Sequence, residues 1–179
     1  MDYKEIIRFW FEEIKPKFWF KKDPAFDQTV CDRFMPIYIA ATRCELFDWR
    51  NNPEGCLAEV IILDQFSRNL FRNSAEAFAQ DSLALCLAQS AIEKGYDSLL
   101  PTRQRSFLYM PFMHSESLAI HKQALELFAS PGLEDNLNYE AKHHLIIVKF
   151  GRYPHRNDVL GRTSTPEELA FLKQPGSSF

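Results

Sequence analysis

The run LAEVIILDQFSRNLFRN, from Leu57 to Asn73, changes character partway along and so limits what the chain can fold into. At 100° per residue, Leu57, Val60 and Ile61 share a side with Asp64, Gln65, Arg68, Asn69 and Arg72, while Ile62, Leu63, Phe66 and Leu70 take the opposite side. The first half is apolar all round. The second half carries a polar ribbon with Asp64, Arg68 and Arg72 at i, i+4 and i+8, where neighbouring side chains on a helix meet. Such a helix is expected to begin inside a core and emerge into a polar cleft.

Start and stop signals place further helices around it. Asp2 with Glu5 resembles a capping box and opens a helix from Tyr3 to Ile14, which Pro16 ends. The tract KFWFKK follows, and its Phe18, Trp19 and Phe20 are expected to fold back onto the core. Asp23-Pro24 and Asn52-Pro53 pair an N-cap with proline at the first helical position, and Asp81-Ser82 is read as a third start, closed by Gly95. Pro36 is expected to kink or divide the second helix, and Pro111 to bend a later one near His114, with a restart at Ser115. The next helix is expected to bury Leu118, Leu125 and Phe128. Asn138 is read as the cap of YEAKHHLIIVKF, which Gly151 ends, and Thr165 with Glu168 forms a capping box for a last short helix. No stretch alternates apolar and polar residues, so the chain is expected to be all-α, one helical domain over residues 1–179. The caps at Asp23, Asn52 and Asp81 are evenly spaced, which suggests stacked helical hairpins of similar size.

Composition narrows the function classes. A formal net charge of −3 counts against broad nucleic-acid binding, which needs a strongly positive surface. Acidic residues in the first helix and the shortness of every charge-free run give no signal peptide and no spanning segment, so no membrane partner is expected. The four cysteines, Cys31, Cys44, Cys56 and Cys86, lack C-x-x-C spacing. They are read as reduced thiols in a cytoplasmic protein, with Cys56 and Cys86 as small core residues. No cofactor fingerprint is present: G-x-S-x-G, P-loop, H-E-x-x-H and Rossmann motifs are all missing.

Three polar clusters interrupt the apolar background: Asp64 to Asn69 with Arg72 beyond, His114 to Glu116, and Gly151 to Asn157 with Arg162 beyond. Arg68, Arg72, Arg152, Arg156 and Arg162 face only Asp64, Glu116 and Asp158 within these clusters. If they converge, with Gln65, Asn69 and Asn157 as further donors and His114 and His155 beside them, the site is electropositive. It would then bind a small anionic ligand, carboxylate or phosphate, or an acidic peptide segment. Equally, Asp64, Arg68 and Arg72 can form an internal ion-pair ladder. A rival enzyme reading makes Asp64, His114, Glu116 and His155 metal ligands of a hydrolase. A non-enzymatic rival is a helical protein-interaction module. His121 is read as a hydrogen-bonded edge histidine, and at least one of His143 and His144 as solvent-exposed.

FWF at Phe9 to Phe11, DQFSRNLFR at Asp64 to Arg72, PFMHSE at Pro111 to Glu116 and FGRYPHRN at Phe150 to Asn157 stand in an order that resembles the mainly bacterial domain of unknown function 924 family. The resemblance covers nearly the whole chain, with Ser67 and Tyr153 departing from the family's usual proline and phenylalanine. It implies a tetratricopeptide-like right-handed superhelix of antiparallel helical hairpins. It implies no known activity.

Overall fold

The computed structural model describes residues 2–177, and among them every regular element is helical. In chain order the α-helices are α1 (Tyr3–Arg8), α2 (Pro24–Thr42), α3 (Pro53–Ile61), α4 (Ser67–Leu70), α5 (Asp81–Glu93), α6 (Thr102–His114), α7 (Leu118–Phe128), α8 (Glu134–Phe150) and α9 (Pro166–Phe171). No helix among the described residues is long and apolar enough to cross a membrane. The chain forms two units: one holds the chain up to Arg72 with Glu76–Pro111, the other Asn73–Ala75 and the chain from Phe112 onward.

Local chemistry explains three of the helix starts. Asp23 accepts from the backbone N–H groups of Ala25 and Phe26, and Asn52 from that of Gly55, with proline at the first helical position in both cases. Thr165 and Glu168 complete a reciprocal capping box. Pro36 lies inside α2 without dividing it.

Three expected boundaries are corrected. Asp81 is the first residue of α5 rather than its cap, because its carboxylate is engaged by Arg68 at 3.0 Å. Asn138 lies inside α8, which begins at Glu134, where two carboxylates occupy the first turn and favour the positive helix end. The restart after Pro111 comes at Leu118, since Ser115 instead turns the chain by accepting from the Ser117 N–H.

In the first unit α3 packs against α1 and α5, and α2 against α4. Its core is an aromatic lattice. Phe66, fully buried, lies with its ring centroid 5.1 Å from that of Phe34, 5.6 Å from that of Trp10 and 6.1 Å from that of Phe9. In the second unit α7 packs along α8, and Ile146, Ile147 and Tyr153 form a core that Phe150 and Phe171 extend. Several apolar assignments fall the other way. Leu118 and Cys86 are exposed, and Phe20 in the KFWFKK tract is 72% exposed while Phe18 and Trp19 are half-buried.

Candidate functional site

The run Leu57 to Asn73 is not one continuous α-helix. Between α3 and α4 the residues Ile62–Phe66 form a turn of π-helix, whose extra residue per turn breaks the regular 100° progression at Asp64 and Gln65. Ser67 closes the turn, its hydroxyl donating to the Leu63 carbonyl at 2.5 Å. The polar ribbon does not open to solvent as expected: Asp64 is fully buried, and Gln65 and Asn69 are buried beside it. Burial without partners would be costly, and the partners are present.

Arg68 lies 3.3 Å from Asp64 Oδ1 and 3.0 Å from Asp81 Oδ1, and also donates to the Asp64 carbonyl. Gln65 donates to Asp64 and lies 3.4 Å from Met110 Sδ. Arg72 departs from the expected ladder. Because α4 ends at Leu70, Arg72 swings to α2 and grips both oxygens of Asp27 at 2.7 Å, which Asn69 also contacts at 2.8 Å. The hydrogen bonds from Asp27 raise the Arg72 pKa despite partial burial. Two guanidinium groups thus meet three carboxylates within this unit, and the ribbon is not electropositive.

In the second unit, Gly151 stops α8 with φ of +68°, a conformation natural to glycine, and the chain turns back through Pro154–Arg156. Glu116 gathers this loop. Its Oε1 accepts from the Tyr153 N–H at 2.7 Å, and both oxygens accept from Arg162, at 2.6 and 3.0 Å. Burial would raise the Glu116 pKa, but the hydrogen bonds from Arg162 and Tyr153 outweigh it and hold the carboxyl below its usual value. Arg152 makes a matching fork onto Glu168 at 2.7 and 2.8 Å, holding that carboxyl at about 2. Arg156 is buried with its guanidinium 4.7 Å above the Tyr153 ring.

Tyr153 is the hub of this unit. Its hydroxyl donates to the Met113 carbonyl at 2.5 Å and lies 3.2 Å from His121 Nε2. The rings of His143 and His155 sit 5.7 and 5.5 Å from its own. His121 is fully buried rather than at an edge, with Nδ1 2.6 Å from Glu140 Oε1 and Nε2 2.8 Å from the Ser115 carbonyl. His143 is buried and His144 half-buried, so neither is exposed. Desolvation lowers the His143 pKa to about 3, assisted by the nearby His114, His121 and His155.

The predicted residues therefore fall into two sets, one in each unit. Asp64, Gln65, Arg68, Asn69 and Arg72 belong to the first. His114, Glu116, Arg152, His155, Arg156, Asn157 and Arg162 belong to the second. Asp27, Asp81, Glu140 and Glu168 are the carboxylates that sequence reasoning missed as partners, together with Glu59, fully buried and forked by Arg50 at 2.6 and 2.7 Å. Glu140 had a signal: Glu140, His143 and Ile147 share one helical stripe, so a carboxylate lay on a core-facing side. Among the described residues no group of three or more His, Cys, Asp or Glu is arranged to hold a metal ion. For the metal-ligand reading the cause is visible, since Glu116 is committed to Arg162 and Asp64 to Arg68.

An open hollow of about 470 Å³ lies wholly within the second unit, lined by Pro154, His155, Asp158, Arg162, Ser164, Leu169 and Leu172. Ser164 accepts from Asn157 Nδ2 at 3.0 Å, which leaves its own hydroxyl proton to donate. Arg162 Nε is buried and donates to no group.

None of the curated proteins matches the chain. A solved structure of a protein of unknown function from Agrobacterium tumefaciens is similar to it, with 39% sequence identity, a TM-score of 0.89 and 96% of each chain covered. The family model described as "Bacterial protein of unknown function (DUF924)" matches residues 6–176. Together with the polar motifs placed above, this match shows that the chain belongs to the DUF924 family of bacterial proteins.

Proposed function

We propose that the protein binds a small carboxylate- or phosphate-bearing ligand in the hollow of the second unit. The observation that carries this reading is the composition of the hollow wall: the polar Ser164, Arg162 and His155 share it with the apolar Pro154, Leu169 and Leu172. A wall that mixes donors with apolar surface suits a small organic anion better than a bare inorganic one. Asp158 on the same wall sets a second condition. Its carboxylate repels a dianion and attracts an amino or hydroxyl group, so a small amphoteric or hydroxylated acid fits best.

The Arg68 and Arg72 ribbon takes no part in this reading, because Asp27, Asp64 and Asp81 already neutralise it. A thermal-shift titration with phosphate, sulfate, dicarboxylates and hydroxy or amino acids tests the proposal. A saturable rise in midpoint with a small organic acid is expected, as for any ligand selective for the folded state. Ser164→Ala should weaken it. No saturable rise with any member of the set would overturn it.

A second reading, a tetratricopeptide-like interaction module, draws on α8 and α9. Tyr139, Leu145, Val148 and Leu169 are all exposed apolar side chains. Replacement of Tyr139, Leu145 and Val148, which lie outside the hollow, by serine would reduce partner capture and leave the thermal shifts unaltered.

A further inference from the structure

The tract KFWFKK packs Phe18 and Trp19 on core rings as expected, but leaves Phe20 and its lysines exposed as a cationic knuckle. Residues 15–22, KPKFWFKK, carry four lysines and no acid in a chain of net charge −3. Pro16–Phe18 form a 3₁₀ turn, bends follow, and Lys15, Pro16, Lys17, Phe20, Lys21 and Lys22 are all exposed. The charges are uncompensated to an unusual degree for this protein, most of whose arginines pair with carboxylates. Lys15, Lys17 and Lys22 form no ion pair among the described residues, and Lys21 only a long one of 3.8 Å to Asp23. The acids nearby are occupied. Glu13 is held by Arg33 at 2.7 Å and Arg8 at 3.1 Å, and Asp23 caps α2.

Cations pack over the rings of the tract. Lys17 and Lys21 sit 5.1 and 6.0 Å over the Phe18 ring, and the exposed Arg103 sits 4.4 Å over Trp19. The Trp19 indole N–H is satisfied by the Trp10 carbonyl at 3.0 Å, which anchors the knuckle. Phe20 stacks one face on Phe107 and remains 72% exposed. A large exposed aromatic in a segment of four exposed lysines, three of them without an ion pair among the described residues, is costly to leave in water and matches one environment closely. That environment is the headgroup zone of an anionic bilayer, where a ring enters the acyl boundary while lysine stems reach up to the phosphates.

We propose that Lys15 to Lys22, with Arg103, is a peripheral docking surface for an anionic phospholipid bilayer. No helix among the described residues is long and apolar enough to cross a membrane, and a surface contact needs none. Two competing partners fit less well. Single-stranded nucleic acid needs several open ring faces, but Trp19 is covered by Arg103 and stacked on Trp10, which leaves Phe20 alone. An acidic peptide needs a groove, and this segment is a 3₁₀ turn followed by bends.

Co-sedimentation of the full chain with vesicles tests the proposal, using phosphatidylcholine alone against phosphatidylcholine with one-third phosphatidylglycerol. Binding to the anionic vesicles alone is expected, lost at high salt and not displaced by soluble glycerophosphate. At about fivefold per lysine, the double variant Lys21→Gln/Lys22→Gln should bind about 25-fold more weakly. A Phe20→Trp variant should shift its emission to the blue with anionic vesicles only. Equal binding to both vesicle types, no binding at low salt, or undiminished binding by the lysine variant would each overturn the proposal. Binding of a single-stranded oligonucleotide without vesicle binding would replace the bilayer by nucleic acid.

Discussion

His121 Nδ1 lies 2.6 Å from Glu140 Oε1, and neither side chain is exposed at all. The other ring nitrogen, Nε2, faces the Ser115 carbonyl at 2.8 Å, and a carbonyl only accepts, so Nε2 carries a proton. The short contact on the Nδ1 side ties α7 to α8 by a buried polar pair as well as by packing. Removing one partner strands the other in the core, so His121→Ala should cost about 3–5 kcal/mol in chemical denaturation. The double replacement His121→Leu/Glu140→Leu should cost clearly less than the sum of the single changes. Additive costs would show that the two groups are independent.

His143 sets the acid limb of stability. Its pKa is about 3 when folded against 6.5 when free, so the unfolded chain takes up the proton first. The contribution is complete above about pH 6.5 and declines toward pH 3, by at most about 1.4 kcal/mol per pH unit. Glu168, held at about 2 by Arg152, adds a second loss that begins only below about pH 4.5. Denaturation midpoints from pH 8 to pH 5 should therefore fall in the wild type and stay flatter in His143→Gln. An unchanged slope in the variant would assign the limb to another group.

What was legible in the sequence was local. Asp23, Asn52 and Thr165 each reach a backbone N–H two or three residues away, so the residues that identify the cap also make the bond. The candidate site failed where its partners are remote. Arg72 and Asp27 are 45 residues apart, and no spacing rule links them. Counting carboxylates within the clusters left the arginines short of partners, although Asp27, Asp81 and Glu168 lay outside the clusters all along. Phe20 failed for a different reason: apolar character predicts burial only on average, and an exposed aromatic is the informative exception.

Gly55 reverses the usual helix rule. Glycine inside a helix is normally worse than alanine by about 1 kcal/mol. Here a Cβ would stand 2.1 Å from the Trp49 carbonyl oxygen, which is backbone and cannot swing aside. Gly55→Ala should thus destabilise the protein, by about 2 kcal/mol or more. Phe66→Ala should cost about 3–5 kcal/mol by opening the aromatic lattice of the same unit. A stabilised Gly55→Ala variant would mean that the turn before α3 is free to move away.

Glu116 offers a test in which stability and binding move in opposite directions. Its carboxylate holds Arg162 by two bonds and the Tyr153 N–H by a third, so it sets the shape of the loop beside the hollow. Glutamine at this position keeps the size and one acceptor but loses the charge and presents two donors. Glu116→Gln should lower the unliganded midpoint, because a charged hydrogen-bonded fork loses about 1.5–3 kcal/mol. The same change releases Arg162 from its counter-charge, and Arg162 lines the hollow. A small organic acid should then raise the midpoint more in the variant than in the wild type. If the ligand-induced rise falls along with stability, Glu116 and Arg162 act only as a structural pair, and the binding reading must move away from Arg162.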